Sequence, residues 1–477
     1  MTDIRSLVRM ALVMFLAVLP AAAADTPNFI VINIDDLGYA DIGPFGSKVN
    51  RTPALDRMAK EGMKLTNFYA APVCSPSRAS LMTGSYPKRA LPIPHVLFPG
   101  NDVGMHPDEL TVAELLKAQG YATGMVGKWH LGDQTPFLPT RQGFDFFFGL
   151  PYSNDMGPAS EGIKSDLGAP LPTTRPNQGK GQPPLPWLRN ETVLQRVLPD
   201  DQQSLVEKYT AEAVGFIQQN KDRKFFLYLP HSAVHFPIYP GKTFAGKSKH
   251  GYYSDWVEEV DWSVGKVLDA VRESGLDKNT MVIFTSDNGG TKRGSNEPLR
   301  GFKGSTLEGG MRVCTIAWWP GRIAAGASSD VITGMIDVMP TLVTLAGGKL
   351  PTDRKLDGRD LSPILTGLSD AKPPHDTYHY YRGLKLEAVR KGPWKLHLAK
   401  KELYNLESDM GEAKNVAAEN PQVVADLQSV ADQMDEDLGV DGMGPGVRKL
   451  GKVENAEPII NHEGKVRADL KSEIKAR

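Results

Sequence analysis

The chain has 477 residues, a formal net charge of −1 and 40% hydrophobic residues. This balance, with no long basic stripe before the last residues, argues against a nucleic-acid-binding protein. The length is sufficient for a large core, so we predict one large domain and a smaller one.

Residues 1–24 have the composition of a secretory signal peptide. Arg5 and Arg9 precede the apolar run "MALVMFLAVL" and the small residues of "PAAAAD". A membrane anchor is the alternative, but the run is shorter than the roughly 20 residues that span a bilayer, and no later run approaches that length. We predict cleavage after Ala24 and an exported protein, periplasmic or secreted, without a membrane anchor after cleavage.

Amphipathic helices and buried strands then alternate along the chain. The first strand, in "NFIVINIDDLG", is an apolar run that ends in two carboxylates. Similar strands precede Lys128 with His130, then His235, then Asp287 with Asn288. This alternation predicts an α/β fold with a large, mainly parallel sheet flanked by helices. Ligands bind beyond the carboxyl ends of such strands, so these side chains are expected to share a site.

Two regions interrupt this pattern. The stretch from about 160 to 202 is rich in proline, glycine and charge, which predicts an insertion or long loop over one face of the fold. Short strands and one closing helix follow, and they predict a C-terminal subdomain of antiparallel sheet plus helix at 356–445. We assign the N-terminal domain to 25–355 and a charged tail, mobile or lying along the surface, to 446–477.

Two pairs of oxygen-bearing side chains are candidate metal ligands. Asp35 and Asp36 are adjacent carboxylates that repel each other unless a cation binds them, and Asp287 with Asn288 repeats the arrangement at another strand end. A set of oxygen ligands suits Ca²⁺ or Mg²⁺ better than zinc. For either pair taken alone, a helix cap or a turn is the alternative.

Cys74 precedes a predicted helix in "SPSRASLMTG". Pro76 suits the first turn of that helix and Gly84 its end. A helix N-terminus stabilises a tetrahedral anion or a thiolate. A buried structural cysteine is the alternative, and the polar neighbours, Arg78 among them, count against it. The only other cysteine is Cys314, so one disulfide at most is possible and a packed core must supply the stability.

The stretch "CSPSRASLMTG" resembles the C-x-P-S-R-x-x-x-x-T-G signature of the type I sulfatases, whose cysteine is converted to Cα-formylglycine. The resemblance covers most of the chain, through "NIDDLGYADIG", "TVAELLKAQGYATGMVGKWHLG", "GLPYSNDMGP", "FTSDNGG", "LRGFKGSTLEGGMRV" and "ELYNLESD". The order of these blocks is most similar to the arylsulfatase A and N-acetylgalactosamine-6-sulfatase branch. It implies an alkaline phosphatase-like fold and a sulfuric ester hydrolase.

The resemblance also implies a role for each polar residue. The implied ligands of one Ca²⁺, with Mg²⁺ possible, are Asp35, Asp36, Asp287, Asn288 and the modified Cys74. The implied contacts to the sulfate are Lys128, Lys303 and Ser153. Arg78 would hold the hydrated aldehyde, His130 would lie beside its second hydroxyl, and His235 would lie beside the leaving oxygen and also contact the substrate.

The chemistry of a sulfate monoester fits these roles. Its negative charge repels an anionic nucleophile until a metal ion and nearby cations neutralise the sulfate oxygens. One hydroxyl of the hydrate can attack sulfur, and the other, deprotonated by His130, can expel sulfate and regenerate the aldehyde. His235 can protonate the leaving group, since the ordinary pKa of histidine lies near neutrality.

Four positions depart from the family pattern or take no part in it. Ser85 occupies a position where many relatives have arginine. Val234 and Cys314 occupy positions where proline is usual, which implies altered loop stiffness with the chemistry retained. Cys314 is predicted to be a small buried residue, and His231 to be structural.

Three other functions would place different demands on the sequence. A phosphodiesterase or phosphonate monoester hydrolase of the same superfamily could use the same metal and aldehyde. A sulfoglycan-binding protein without turnover would need an incomplete set of residues, and a cysteine protease would leave the carboxylates without a purpose. The preferred substrates are sulfated sugars, with aryl sulfates as artificial ones, and the expected protein partner is a formylglycine-generating maturation enzyme.

Overall fold

The computed structural model describes residues 26–170 and 181–474. The predicted signal peptide at 1–24 lies outside the described residues. Within those ranges, no helix combines the length and the apolar character that a membrane span requires.

The strands, in chain order, are β1 Asn28–Ile34, β2 Met63–Tyr69, β3 Val103–Gly104, β4 Ala122–Lys128, β5 Phe146–Leu150, β6 Pro186–Arg189, β7 Thr192–Arg196, β8 Phe225–Pro230, β9 Thr280–Ser286, β10 Arg312–Trp318, β11 Ala327–Ser329, β12 Thr333–Gly334, β13 Thr377–Arg382, β14 Lys385–Lys391, β15 Trp394–His397, β16 Glu402–Asn405, β17 Gly451–Lys452 and β18 Lys471–Ser472. The helices are α1 Pro53–Glu61, α2 Cys74–Thr83, α3 Pro87–Ala90, α4 Val112–Ala118, α5 Pro199–Gln202, α6 Leu205–Gln219, α7 Tyr252–Glu273, α8 Glu308–Met311, α9 Val338–Leu345, α10 Ser362–Leu365 and α11 Pro421–Asp435.

The largest sheet has 12 strands, in the order β11-β2-β10-β9-β1-β8-β4-β5-β6-β7-β18, with β12 also paired to β2. The five central strands, from β9 to β5, are parallel to one another. Antiparallel pairs flank them, because β10 runs against β9 and β2, and β6 runs against β5 and β7. The predicted α/β class is confirmed, and the sheet is mixed at its flanks.

The central strands are buried on both faces, as expected for strands with apolar residues in succession. In β1, Phe29 and Val31 belong to one hydrophobic cluster, whereas Ile30, Ile32 and Ile34 belong to a second. Each face of the sheet is therefore covered by its own core. This burial fixes the register of β1 and with it the position of the residues that follow the strand.

The stretch from about 160 to 202, predicted as an insertion or long loop over one face, contains regular structure. Its later part forms the hairpin β6–β7, which extends the sheet beyond β5. Leu188 and Val193 of this hairpin are fully buried. The many prolines and glycines of the stretch concealed two short strands, whose pairing comes from the edge of the sheet and not from local sequence.

The C-terminal region forms a four-stranded antiparallel sheet, β13-β14-β15-β16, against which α11 packs. A third hydrophobic cluster joins this sheet to the large domain, with Tyr69 and Tyr86 on one side and Tyr378 and Tyr380 on the other. The predicted antiparallel subdomain with one helix is confirmed, while its exact limits, 356–445, stay a prediction.

Residues 446–474 lie along the large domain, and we call this segment the C-terminal strap. Strand β17 pairs with β3, and β18 adds to the large sheet beside β7. Between them Ile459 and Ile460 are buried, at 0% and 1% exposure. The segment is therefore paired to the large domain near both of its ends.

Candidate active site

Five neighbouring parallel strands end at one edge of the sheet, and each is followed closely by a polar residue named in the sequence analysis. In sheet order these are Asp287 and Asn288 after β9, Asp35 and Asp36 after β1, His235 beyond β8, Lys128 and His130 at the end of β4, and Ser153 beyond β5. The carboxyl ends of parallel strands meet at one edge, which is how distant parts of the sequence come together.

Cys74 is the first residue of α2, as its neighbours predicted. The helix ends at Thr83, and the following Gly84 has a left-handed φ of 64°, which suits glycine. The Sγ atom lies 3.3 Å from Asp35 Oδ1 and 3.5 Å from Lys303 Nζ. Burial, and then the charge of Asp35, raise the pKa of the Cys74 thiol. The unmodified thiol is therefore held in its protonated, weakly nucleophilic form.

Three carboxylates and three cations balance one another around Cys74. The close pairs are Arg78 with Asp287 at 2.8 Å, Lys303 with Asp36 at 2.6 Å, and Lys128 with Asp35. All three carboxylates are at most 2% exposed. Burial alone would raise the pKa of Asp35, but Lys128 and the other nearby cations hold it well below its usual range. The formal charges of these three carboxylates and three cations sum to zero.

Oxygen atoms suited to a metal ion converge here. One set of possible ligand atoms lies within 4.8 Å of one another, from Asp35, Asp36, Cys74 and His235. Asn288 Nδ2 donates to Asp36 Oδ1 over 2.8 Å, and Asn288 Oδ1 is buried with no hydrogen-bond partner among the described residues. A hard cation would satisfy that oxygen. The residues therefore fit a metal ion.

Two details of this cluster differ from the implied ligand set. It contains His235, whose Nε2 lies 3.7 Å from Asp36 Oδ2. It does not contain Asp287, whose Oδ2 accepts instead from Arg78 Nε and Nη2, over 3.0 and 2.8 Å. Asp287 Oδ1 still accepts from the Asp36 backbone N–H over 3.4 Å, so the carboxylate borders the cluster.

His130 has a defined orientation. Its Nε2 lies 3.0 Å from the Leu97 carbonyl oxygen, an acceptor, so Nε2 carries the proton. Its Nδ1 is buried and has no hydrogen-bond partner in the described part of the chain. Burial, and then the charges of Lys128 and Arg78, hold the pKa of His130 well below its usual range. The ring is neutral, with the lone pair of Nδ1 available to accept a proton.

His235 and Lys303 form the more open side of the cluster, with side chains 13% and 19% exposed. His235 Nδ1 lies 3.4 Å from Ser153 Oγ, which also accepts from Lys128 Nζ over 3.1 Å. Backbone bonds fix this side, since Asp35 N–H donates to the Ala233 carbonyl over 2.9 Å. A substrate entering here would meet Lys303 and His235 first.

Sequence reasoning missed two groups at the site. Asp155 Oδ1 is buried without a hydrogen-bond partner within the described ranges, and lies 4.0 Å from His235 Nδ1. Its signal was present, because it lies two residues after Ser153 in the quoted "PYSNDMGP". The Leu97 carbonyl, which orients His130, had no signal, because any residue could supply it.

The positions that depart from the family pattern are buried. Cys314 is fully buried, as predicted, and His231 is too. His231 Nε2 lies 3.2 Å from Ser263 Oγ, and burial lowers the pKa of His231 to about 3, in keeping with a structural residue. Ser85 is buried and accepts a hydrogen bond from Arg448 of the strap over 3.0 Å. Val234 N–H donates to the Asp35 carbonyl over 2.7 Å.

Carboxylates, buried cations and a neutral histidine at the carboxyl ends of a parallel sheet define a hydrolase for anionic esters. Comparison with known proteins narrows this class. The sulfatase family model matches residues 27–348, and a second model, N-sulphoglucosamine sulphohydrolase C-terminal, matches residues 303–438. The chain belongs to the sulfatase family.

Curated relatives agree with this assignment. Arylsulfatase A of Homo sapiens is 40% identical over 393 residues, which covers 79% of this chain and 75% of the relative. N-acetylgalactosamine-6-sulfatase of Mus musculus is 40% identical over 407 residues, covering 80% and 74%. Steryl-sulfatase of Mus musculus is 38% identical over 439 residues, covering 78% and 70%. The chain is an enzyme, a sulfuric ester hydrolase, and its family implies a metal ion and a formylglycine.

Solved structures share the fold. Ps i-CgsB in complex with k-i-k-neocarrahexaose is 31% identical with a TM-score of 0.72, covering 86% of this chain and 92% of that chain. PsFucS1 sulfatase from Pseudoalteromonas sp. is 28% identical with a TM-score of 0.75, covering 87% and 92%. Phosphonate monoester hydrolase SpPMH from Silicibacter pomeroyi is 19% identical with a TM-score of 0.61, covering 86% and 94%, and shares the fold alone.

Proposed function

We propose that this sulfatase hydrolyses sulfate monoesters of sulfated saccharides, using residue 74 as formylglycine and one Ca²⁺ ion, with Mg²⁺ as a possible substitute. The observation that carries the proposal is the buried, charge-balanced cluster around Cys74. The saccharide preference is supported by two similar proteins, N-acetylgalactosamine-6-sulfatase and the structure of Ps i-CgsB with neocarrahexaose.

The charges of the cluster favour an anionic substrate once a metal ion is bound. Without the ion, the carboxylates of Asp35, Asp36 and Asp287 neutralise the nearby cations. With a divalent cation bound, the cluster has a net positive charge, which attracts a sulfate ester. The bound cation supplies Lewis-acid stabilisation of the charge that develops on the sulfate oxygens.

We assign the metal to Asp35, Asp36, Asp287, Asn288 and residue 74. The unpartnered Asn288 Oδ1 supports this set, because its lone pairs have no other use in the described structure. His235 lies close to the same atoms, but a set of oxygen ligands suits Ca²⁺ or Mg²⁺ without it. Elemental analysis of purified protein distinguishes the two ions, and zinc in molar equivalence to protein would overturn this ligand set.

The remaining residues hold the substrate and move protons. Residue 74, as the hydrate that forms when water adds to the formylglycine aldehyde, would supply one hydroxyl to attack sulfur and a second whose deprotonation releases sulfate and restores the aldehyde. We assign sulfate binding to Lys128, Lys303 and Ser153, and the orientation of residue 74 to Arg78. His130 Nδ1 accepts a proton, consistent with its unpartnered state, and His235 at the more open side donates one to the leaving alcohol.

We also propose export through the signal peptide at 1–24, to the periplasm or the medium, and maturation by a formylglycine-generating enzyme. The charged, apolar and small-residue order of the first residues supports export. Sequencing the N-terminus of protein recovered from an exporting host checks it. A mature chain beginning near Asp25 is expected, and an intact Met1 would contradict it.

The experiment that tests the catalytic proposal compares protein produced with and without a formylglycine-generating enzyme. Nitrophenyl sulfate turnover is expected to rise in proportion to the fraction of residue 74 peptide that mass spectrometry finds as formylglycine. Cys74→Ala is expected to abolish turnover in both preparations. Full turnover by chains with an intact thiol would overturn the proposal, and faster turnover of phenyl phosphate diesters than of sulfate esters would favour the phosphodiesterase alternative.

A further inference from the structure

The C-terminal strap, residues 446–474, lies beyond both regions that the family models match, 27–348 and 303–438. It nevertheless contacts the two segments that hold His130. We propose that the strap fixes His130 in its working orientation, with Arg467 as the positioning residue. The inference rests on the proposed proton-accepting function of His130.

His130 depends on the segment 97–104 for its orientation. The Leu97 carbonyl accepts from His130 Nε2 over 3.0 Å, while the Leu97 N–H donates to Ser75 Oγ over 3.2 Å. Ser75 adjoins Cys74 in α2. One residue of this segment therefore sets the position of the imidazole relative to residue 74.

The segment 97–104 has little regular structure of its own, and the strap supplies it. Its two-residue strand β3 pairs with β17 of the strap, Gly104 with Gly451 and Val103 with Lys452. The Val453 N–H also donates to the Asp102 carbonyl over 2.9 Å. Removing these contacts would leave residues 98–104 with few partners to hold the Leu97 carbonyl.

Arg467 fixes the other segment, just after His130. Its Nη2 donates to the Asp133 carbonyl over 3.0 Å and to Thr135 Oγ1 over 3.2 Å, and its Nη1 donates to Gln134 Oε1 over 3.1 Å. Asp469 accepts from Nε over 2.8 Å, so the guanidinium itself is held in place. The side chain of Arg467 is only 9% exposed.

Asp133 joins the two segments. It is 2% exposed, and its Oδ2 accepts from the Gly100 N–H over 2.7 Å. Arg467 thus orders Asp133, Asp133 holds Gly100, and the same short segment carries the Leu97 carbonyl. The buried Ile459 and Ile460 anchor the strap to the large core, so this arrangement is formed before substrate arrives. A displacement of a reacting group by about 1 Å can lower a rate by about 100-fold, so this ordering matters for turnover.

A double-mutant cycle tests the proposal on protein matured with a formylglycine-generating enzyme. Four chains are compared by nitrophenyl sulfate turnover per formylglycine: wild type, Arg467→Ala, His130→Ala and the double variant. Arg467→Ala is expected to lower kcat by about 10- to 100-fold with KM changed less than about 3-fold. In the His130→Ala background the same change is expected to cost less than about 2-fold, because the two residues act as a unit.

Arg448→Ala is the matched control within the strap, because Arg448 contacts Glu109 over 2.6 Å and Ser85 over 3.0 Å, away from both segments. It is expected to lower the melting temperature while kcat stays within about 2-fold of wild type. If Arg467→Ala does not fold, Asp133→Ala takes its place, since it cuts the bond to Gly100 and leaves the strap intact.

The outcomes separate this inference from the proposed function. Losses that multiply in the double variant, or equal kcat losses for Arg467→Ala and Arg448→Ala, would overturn the function of the strap alone. Full turnover by His130→Ala would instead overturn the function proposed for His130. Loss of the Arg467 effect in the His130→Ala background supports both.

Discussion

His130 and His235 lie on either side of the same cluster, and their surroundings differ in a way that fits the functions proposed for them. His130 is enclosed, with one nitrogen bonded to a carbonyl and the other unpartnered within the described structure. His235 lies at the more open side, within 3.4 Å of Ser153 and 3.7 Å of Asp36. The free lone pair of His130 Nδ1 fits the proposed acceptance of a proton, and the more open position of His235 fits the proposed donation to the departing alcohol.

His235→Ala is expected to affect substrates unequally. A sugar alkoxide is a poor leaving group that needs a proton, whereas nitrophenolate hardly does, so kcat/KM should fall about 100-fold or more for a sugar sulfate and far less for nitrophenyl sulfate. Steady-state kinetics on both substrates measure the ratio. His231→Gln is the control, because His231 is buried against Ser263 and its loss should leave the ratio unchanged. Equal losses of kcat/KM on both substrates would show that His235 is not the proton donor.

Much of the site could be predicted at this scale because its side chains are chemically conspicuous. Paired carboxylates after apolar strands, and a cysteine before Pro76 and Arg78, stand out in any reading of the sequence. The Leu97 carbonyl could not be found, because backbone groups carry no residue-specific signal. The hydrogen bonds from Arg78 to Asp287 could not be predicted either, because they depend on the distance between α2 and the end of β9.

At the scale of single elements, helix α7 contains a carboxylic acid, Glu259, whose pKa is raised by burial. Glu259 is 2% exposed, and its Oε2 accepts from the Gly241 N–H over 2.7 Å. Burial raises the pKa of Glu259 from 4.5 to about 8. A raised carboxyl pKa means that the folded state binds the proton more tightly than the unfolded chain, so its stabilising effect is complete below pH 4.5 and is lost as the pH rises to about 8.

Glu259→Gln is therefore expected to gain stability relative to wild type as the pH rises from 5 to 8. The slope of the difference approaches about 1.4 kcal/mol per pH unit at most, and glutamine keeps an acceptor for Gly241. Melting temperatures of both proteins across this pH range measure it. Glu258→Gln, at the adjacent position that pairs with exposed Arg51, is the control. A pH-independent difference between Glu259→Gln and wild type would contradict the assignment.

The loop that carries Lys303 is held by Lys395, a buried residue that strand periodicity does not predict. Lys395 of β15 is fully buried, and its Nζ donates to the Thr306 carbonyl over 2.8 Å and to Glu308 Oε1 over 2.9 Å. Burial opposes ionisation of Glu308, but Lys395 and the nearby arginines lower the pKa of Glu308 to about 2. A lysine in a short strand predicts a solvated face, and only the tertiary structure shows that it holds an active-site loop.

At the scale of the whole molecule, one arginine joins the large domain to two points of the C-terminal region. Arg89 of α3 donates to both oxygens of Asp357, over 2.8 and 2.7 Å, and to both oxygens of Asp437, over 2.9 and 2.7 Å. Its side chain is 2% exposed. Hydrogen bonds from Arg89 lower the pKa of Asp437. This pair of bidentate contacts reinforces the aromatic contact between the two regions.

Arg89→Met is expected to destabilise the protein by about 3–5 kcal/mol, because it leaves two carboxylates facing each other without their cation. Urea unfolding followed by fluorescence measures the loss, and the loss should shrink at low pH, where both carboxyls are protonated. Arg57→Met, which breaks an exposed pair with Glu61 within α1, should have little effect. Similar losses for the two variants would show that Arg89 does not join the regions.

The overall architecture could be predicted from the alternation of helices and strands alone. The strands at the edges of the sheet could not. Strands such as β1 and β9 are continuous apolar runs, which only a doubly covered sheet can bury. Strands β6, β7, β17 and β18 are short, and they form where a neighbouring strand offers backbone groups to pair with. Such pairing depends on the tertiary structure of the sheet, so no local sequence pattern predicts it.

The strand order also determines when, during synthesis of the chain, Cys74 can be reached by the proposed maturation enzyme. The neighbours of β1 in the sheet are β8, which begins at Phe225, and β9, which begins at Thr280, so β1 cannot be paired until long after Cys74 has been synthesised. In the folded protein Cys74 is 1% exposed, out of reach of another enzyme. Modification of Cys74 by a second enzyme therefore has to precede folding. Because β8 and β9 are synthesised late, the central sheet cannot form and bury Cys74 in the meantime. A substitution that accelerates folding would shorten this period and lower activity without changing any active-site residue.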